Sequence, residues 1–135
     1  MTALRGTVLL QVEGQKVRIT GGPFDAMPAG ARGLCLEHRA SRVAEAEWRL
    51  DVPDFGVPTR DALQAVLVSM LAAMRDRPGD AYHIGCKAGL GRTGMALACL
   101  AAMTGVADPL RWVRSAYDPR AVETAQQEEF VARFR

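Results

Sequence analysis

A chain of 135 residues fits a single domain, and its 49% apolar content is enough to form a core. The net charge of +2 is small and the arginines are scattered, which argues against a nucleic-acid partner. Three cysteines without paired spacing indicate neither a zinc motif nor a disulfide framework, and they favour a reducing cytoplasm. Apolar runs are too short for a membrane span, and the first eleven residues do not resemble a signal peptide.

The first half of the chain is predicted to consist mainly of strands. Short apolar runs bounded by turn residues indicate a strand pair at 7–12 and 16–20, turned at Glu13-Gly14, then strands at 32–37 and 47–52. Thr59 is expected to cap a helix that ends near Pro78, because apolar residues recur there at i, i+3, i+4 and i+7.

The second half is predicted to be one buried strand followed by helices. The strand covers 80–86, and the helices cover 92–104, 109–117 and 121–134. This order predicts an α/β fold for residues 1–135, a single domain with a mixed central sheet flanked by helices.

The segment after the 80–86 strand carries the clearest chemistry. Its glycines and small residues allow successive backbone N–H groups to turn inward around an anion, and the next helix adds the positive end of its dipole. Cys86 opens the segment beneath a bound phosphorus, and Arg92 closes it with a fork for two phosphate oxygens. The predicted phosphate-binding residues are Cys86, Lys87, Ala88, Gly89, Leu90, Gly91 and Arg92.

Cys86 is the predicted nucleophile. Inward amides and the helix dipole favour its thiolate, which is the reactive form, and the Thr93 hydroxyl can donate to the sulfur when it leaves. A cysteine can also simply pack in a core. A nucleotide-binding Walker loop does not fit, because Cys86 and Arg92 occupy the positions of its first glycine and its lysine.

The string Cys-Lys-Ala-Gly-Leu-Gly-Arg-Thr-Gly resembles the Cys-x5-Arg-[Ser/Thr] signature of the cysteine-based protein tyrosine phosphatase superfamily. It looks most like compact dual-specificity members and is similar to the lysine-bearing loops of inositol-lipid phosphatases. The resemblance implies the phosphatase fold and a cysteinyl-phosphate intermediate, with no cofactor and no metal. One departure is that Gly85 stands where the family usually has histidine, and the nearest histidine is His83.

The string Val-Pro-Asp-Phe-Gly-Val-Pro at 52–58 resembles the family's movable Trp-Pro-Asp-x-Gly-Val-Pro loop, with Val52 in place of tryptophan. The resemblance implies that Asp54 is the general acid, which protonates the leaving oxygen. Asp51 is the second candidate. An ordinary turn between a strand and a helix is the alternative interpretation of this segment.

A third resemblance lies near the end of the chain. Gln127 shares a helical face with Phe130, Val131 and Phe134, and Glu123 is expected one turn earlier on that face. The string at 122–127 is similar to the family's glutamine segment, which implies that Gln127, with Glu123, positions the hydrolytic water. For Glu123 the alternative is a solvated position at a helix start.

These features predict a phosphatase that hydrolyses phosphomonoesters, most simply a protein tyrosine or dual-specificity phosphatase. Its partner would be a phosphorylated protein or a small phosphoester. An inositol-lipid phosphatase, a phosphate-binding module without turnover, and a sulfurtransferase or arsenate reductase are the alternatives. Lys87 would suit a multiply phosphorylated inositol ring; projection into solvent is the alternative interpretation. Cys35 and Cys99 are expected in the core, with a redox role beside Cys86 as a lesser alternative.

Overall fold

The computed structural model describes residues 3–134 and contains a five-stranded sheet. The strands are β1 (Gly6–Val12), β2 (Gln15–Pro23), β3 (Arg32–Cys35), β4 (Trp48–Arg49) and β5 (Ala81–Cys86). Their order across the sheet is β1-β2-β5-β3-β4. The β1–β2 pair is antiparallel and all other pairs are parallel, so the predicted mixed sheet is confirmed.

The hairpin between β1 and β2 follows from its turn residues. Glu13 and Gly14 both have positive φ, 48° and 83°, as a two-residue turn with the twist of the flanking strands requires. The turn fixes the register, which pairs Val12 with Gln15 and Gly6 with Gly21. The separate parallel pairing of β2 with β5 matches Pro23 with Cys86, so the end of β2 lies where the phosphate-loop sequence begins.

Four helices accompany the sheet. They are α1 (Arg60–Asp76), α2 (Gly91–Met103), α3 (Pro109–Ala116) and α4 (Ala125–Arg133). Thr59 caps α1 by accepting from the Ala62 N–H at 3.2 Å, as predicted. Helix α2 is buried from Gly91 to Ala101, so it runs through the centre of the domain. None of the helices within residues 3–134 has both the length and the apolar character needed to cross a bilayer.

Two expected elements are shorter than predicted. The strand expected at 47–52 is only Trp48–Arg49, and the helix expected at 121–134 begins at Ala125. Thr124 ends the loop before α4 as its N-cap and forms a capping box with Gln127. Val122 has φ of 65°, a left-handed conformation that cannot belong to a right-handed helix. Glu123 therefore lies in the loop and is not on the helical face predicted for it.

The two sides of β5 belong to different apolar clusters. Tyr82, Ile84 and Cys86 join a large core that includes buried residues from all four helices. The intervening residues point to the opposite face, because side chains alternate along a strand. On that face the His83 ring contacts Phe24, which belongs to a smaller cluster with Met27 and Cys35.

Candidate active site

The candidate site lies where three parallel strands end. Cys86 is the last residue of β5, and the loop after it leads directly into α2, which begins at Gly91. Parallel strands present their carboxyl ends at one edge of a sheet, and this edge is where open α/β folds bind ligands. The ends of β2 and β3 therefore surround the same loop.

The Cys86 sulfur receives two hydrogen bonds. The Gly89 N–H donates to Sγ at 3.2 Å, and the Thr93 hydroxyl donates at 3.1 Å. Gly89 has φ of 82°, and a Cβ there would lie 2.3 Å from Gly22 Cα, so only glycine fits. The sulfur is thus the common acceptor of a donor from the loop and a donor from α2. The structure thus brings Cys86, Gly89 and Thr93 together as the sequence predicts.

Arg92 is buried and its guanidinium is anchored at one end. Its Nη1 donates to the Val52 carbonyl at 2.8 Å and to Glu37 Oε1 at 3.1 Å. Its Nη2 lies 3.6 Å from Asp54 Oδ1. The anchored Nη1 fixes the plane of the guanidinium, so Nη2 faces the side from which Asp54 approaches.

Glu37 is a site residue that sequence reasoning missed. Its side chain is only 3% exposed and pairs with both Arg39 and Arg92. The hydrogen bond from Arg39 is the largest influence, and with the charge of Arg92 it lowers the Glu37 pKa to about 2. Its signal in the sequence is its place two residues after the end of β3, at the same sheet edge as Cys86.

The Asp54 loop is tied to the start of α4. Gln127 Nε2 donates to the Gly56 carbonyl at 3.1 Å, and the Thr124 hydroxyl donates to the Phe55 carbonyl at 3.4 Å. Phe55 has φ of 60° and is more than half exposed, so the loop makes a tight turn directly after Asp54. These contacts place the Asp54 carboxylate over Arg92. Asp51 is exposed and has no contact of this kind among the hydrogen bonds and ion pairs observed in residues 3–134.

Gln127 and Glu123 both border the phosphate loop, in different ways. Gln127 is fully buried, and its Oε1 accepts from the backbone N–H of Glu123 at 2.9 Å. Glu123 is exposed. A Cβ added at Gly91 would lie 2.5 Å from Glu123 Oε1, so this carboxylate sits directly beside the loop. Glu123 is therefore at the site although it is not on α4.

The structure explains why no histidine precedes Cys86. A Cβ at Gly85 would lie 2.5 Å from Phe24 Cα, so no side chain fits. His83 lies behind the loop instead, with Nε2 3.2 Å from the Pro23 carbonyl and Nδ1 2.8 Å from the Thr20 hydroxyl. Burial lowers the His83 pKa to about 4. Because a carbonyl only accepts, the neutral ring carries its proton on Nε2 and holds the end of β2 against β5.

A cavity of about 220 Å³ opens beside the nucleophile and is lined by Asp25, Glu37, Arg39, Ala40, Cys86 and Lys87. Lys87 is exposed and also lines a second cavity, of about 470 Å³, which includes Arg5 and Ala88. The other two cysteines are free and buried. Burial raises the pKa of Cys99 to about 12 and also raises that of Cys35, so neither thiol resembles a reactive group.

Comparison with known proteins identifies the family. The family model described as the Swiss Army Knife protein DSP-PTPase phosphatase domain matches residues 39–131, which include Asp54, the phosphate loop and Gln127. The chain belongs to this phosphatase family. The predicted membership in the dual-specificity branch of the cysteine-based phosphatases is confirmed.

Two uncharacterized proteins of Methanocaldococcus jannaschii, MJECL20 and MJ0215, are similar to this phosphatase domain. They are 35% and 34% identical to it over 83 residues, or 62% of the chain. The chain spans about half the length of these curated relatives, 55% and 51% respectively.

Solved structures show the same fold. Tk-PTP in its active form has a TM-score of 0.68 at 24% identity, with 94% of this chain and 95% of that chain covered. Kinase associated phosphatase with its catalytic cysteine replaced by serine has a TM-score of 0.70 at 14% identity, with coverage of 100% and 96%. PTPMT1 in complex with PI(5)P has a TM-score of 0.63 at 17% identity, with coverage of 86% and 88%.

Proposed function

We propose that this domain hydrolyses phosphomonoesters through a cysteinyl-phosphate intermediate, as a protein tyrosine or dual-specificity phosphatase. The observation that carries the proposal is the sulfur of Cys86, which accepts from both Gly89 and Thr93 at the base of a loop that ends in Arg92. Two donors stabilise a thiolate, and the adjacent guanidinium supplies the charge that a phosphoryl group needs.

In the first step, the Cys86 thiolate attacks phosphorus and the bond to the leaving oxygen breaks. Arg92 and the amides of residues 87–92 hold the equatorial oxygens as charge moves onto them. Asp54 donates its proton to the leaving oxygen, so that an alcohol or phenol departs. The distance of 3.6 Å between Asp54 Oδ1 and Arg92 Nη2 supports this role because it puts the carboxyl beside the guanidinium that would bind the phosphate.

In the second step, water attacks the phosphocysteine and the sulfur leaves. Asp54, now a carboxylate, takes the proton from water, and the Thr93 hydroxyl stabilises the departing thiolate. We assign Glu123 and Gln127 to the placement of this water. Glu123 is the better placed to touch it, because its carboxylate lies beside Gly91. The Gln127 carboxamide is already bonded to Gly56 and to the loop before α4, so it acts through those groups.

The covalent intermediate provides the direct test. Wild-type protein is mixed with an aryl phosphate in the presence of a chelator, quenched in acid and examined by peptide mass spectrometry. We expect one phosphoryl group on the Cys86 peptide, and none in the Cys86→Ser variant. Turnover without this adduct in any quench would contradict the covalent mechanism. Phosphate binding without turnover would instead favour a phosphate-binding module.

An inositol-lipid or small phosphoester phosphatase is the second candidate, and Lys87 favours it. This lysine lines the cavity beside Cys86 and has no salt bridge among those formed within residues 3–134. The structurally similar PTPMT1 has been seen in complex with PI(5)P. A panel of phosphopeptides, phosphoinositides and small phosphoesters distinguishes the candidates. For a lipid phosphatase, Lys87→Met should lower kcat/KM on phosphoinositides and leave kcat/KM on phosphopeptides unchanged.

We also propose a cytoplasmic location, which the three free cysteines support.

A further inference from the structure

Two side chains from outside the family motifs hold the outer side of the phosphate loop. Arg5 Nε donates to the Ala88 carbonyl at 2.7 Å, and the Tyr117 hydroxyl donates to the Gly89 carbonyl at 2.5 Å. Arg5 precedes β1 and Tyr117 follows α3, so the ends of distant elements meet on two successive carbonyls of the loop.

Peptide geometry gives these contacts a consequence. In a trans peptide the C=O and the following N–H point in opposite directions. For the peptide between Ala88 and Gly89 both ends are observed: Arg5 holds the oxygen, and the N–H donates to Cys86 Sγ. The next peptide has its Gly89 oxygen held by Tyr117, which turns the Leu90 N–H away from the tyrosine and toward the inner side of the loop.

The position of the Tyr117 side chain is fixed by packing. Its ring occupies the space above two glycines, since a Cβ at Gly21 would lie 2.5 Å from the ring and one at Gly6 would lie 3.0 Å from it. Its side chain is buried, and burial raises its pKa well above the ordinary value, so the hydroxyl stays protonated as a donor. Asp118, the next residue, lies 3.8 Å from Arg5 Nη1 and connects the two holding residues.

We propose that Tyr117 and Arg5 are positioning residues that orient the peptide groups on both sides of Gly89. By doing so they set the reactivity of the Cys86 sulfur and the affinity of the loop for phosphate. This proposal rests on the proposed function only in taking this loop to be the active site. The Ala88 and Gly89 carbonyls face Arg5 and Tyr117, and the N–H groups of the same two peptides face the sulfur and the place where a phosphate would bind.

The test measures the thiol itself and does not require turnover. The rate of iodoacetamide labelling of the Cys86 peptide is followed against pH by mass spectrometry in wild type and Tyr117→Phe, which keeps the ring and removes the donor. We expect labelling at neutral pH to slow by about 5-fold, because one hydrogen bond is worth about 1 kcal/mol and 1.4 kcal/mol corresponds to a factor of ten. Vanadate affinity should fall by a similar factor.

Tyr82→Phe is the matched control. The Tyr82 hydroxyl is also bonded to backbone carbonyls, those of Arg77 at 2.8 Å and Ala73 at 3.0 Å, but it lies near the start of β5. We expect this variant to lose stability while its Cys86 labelling profile matches wild type. If Tyr117→Phe also labels and binds vanadate as wild type does, the proposal is overturned. If both variants shift the profile equally, the effect is general loosening and the proposal is again overturned.

Arg5→Met is the second variant, and it keeps the test decisive if Tyr117→Phe does not fold. Arg5 is partly exposed, so its loss is tolerable for folding. Arg5→Met should slow Cys86 labelling at neutral pH. Arg18→Met should not, because it removes the same charge from an exposed position of β2 opposite Ala81, at the start of β5. If Arg5→Met and Arg18→Met slow labelling equally, the effect comes from the overall charge of the protein, and the assignment of Arg5 as a positioning residue is contradicted. Labelling is independent of substrate, so failure of this proposal is distinct from failure of the proposed phosphatase activity.

Discussion

Glu37 Oε1 lies 3.1 Å from Arg92 Nη1, and both side chains are 97% removed from solvent. Glu37 follows β3 and Arg92 opens α2, so the pair joins two elements across the sheet edge at which Cys86 stands. Without Glu37, the buried guanidinium would have only the more distant and half-exposed Asp54 to balance its charge. The pair therefore fixes the direction of the Arg92 fork before any phosphate arrives.

Replacing Glu37 by glutamine tests this arrangement. Glu37→Gln keeps the size of the side chain and removes its charge, so Arg92 should become mobile and kcat/KM should fall by roughly 10- to 100-fold. Steady-state kinetics with an aryl phosphate measure the loss. Glu47→Gln is the control, since Glu47 pairs with Arg32 at the surface. If Glu37→Gln and Glu47→Gln have the same kcat/KM, Glu37 has no role in the active site.

Cys86→Ser should fold and bind phosphate or vanadate while losing turnover, because an alcohol at neutral pH is a far weaker nucleophile than a thiolate. Calorimetric titration with vanadate and an activity assay measure the two properties together. Arg92→Lys should instead lose both, since an ammonium cannot make a bidentate fork. Substantial activity in the serine variant would be incompatible with a covalent mechanism.

Asp54→Asn should show a loss that depends on the leaving group. Phosphotyrosine or phosphoserine turnover should fall by about 10²-fold or more, whereas an activated aryl phosphate should suffer less, because its leaving oxygen needs no proton. Single-turnover rates across a series of leaving groups give the comparison. Asp51→Asn is the matched control; if it reproduces the pattern while Asp54→Asn does not, the acid is Asp51.

The stability of the domain should depend on pH through His83. Its pKa is lowered to about 4 by burial, while a histidine in the unfolded chain titrates near 6.5. The unfolded state therefore binds the proton first, and the contribution of neutral His83 is complete above about pH 6.5 and lost as the pH falls toward 4. Urea unfolding should lose about 3 kcal/mol across this window.

His83→Gln should remove most of that dependence, because the amide does not titrate. His38→Gln is the comparison variant, at an exposed histidine that lies 3.7 Å from Glu37 Oε2. A pH dependence in His83→Gln equal to that of wild type would assign the effect to other groups. The Glu37 contribution is separate, since its pKa of about 2 means that it is lost only as the pH falls below about 4.5 toward 2.

The sequence predicted the parts of the site whose geometry is local. Cys86, Gly89, Arg92 and Thr93 lie within eight residues, and the turn that their sequence favours is enough to bring the donors to the sulfur. Asp54 could be predicted because a recognisable string surrounds it. Its position over Arg92 nevertheless depends on Gln127, which is 73 residues away along the chain.

The unpredicted parts of the site are contacts between distant segments. Glu37 sits in an unremarkable string after a strand, and only the order β5-β3 places that strand end beside Arg92. Tyr117 carries no local signal, because what distinguishes it is the pair of glycines, Gly6 and Gly21, that leaves room for its ring. Arg5 carries none because the carbonyl that it contacts lies 83 residues away along the chain. The helix boundary at Ala125 was missed because Val122 adopts a left-handed conformation that its side chain does not favour.

The bonds from Gln127 and Thr124 to the Asp54 loop also bear on how the protein matures. The nucleophile, its loop and Arg92 are synthesised before residue 95, but the segment that holds the acid in place is synthesised after them. A nascent chain that stops short of residue 124 would have the thiol and the anion cradle without a fixed proton donor. Turnover of substrates with poor leaving groups would begin only when α4 docks, so its onset would report that this part of the fold is complete.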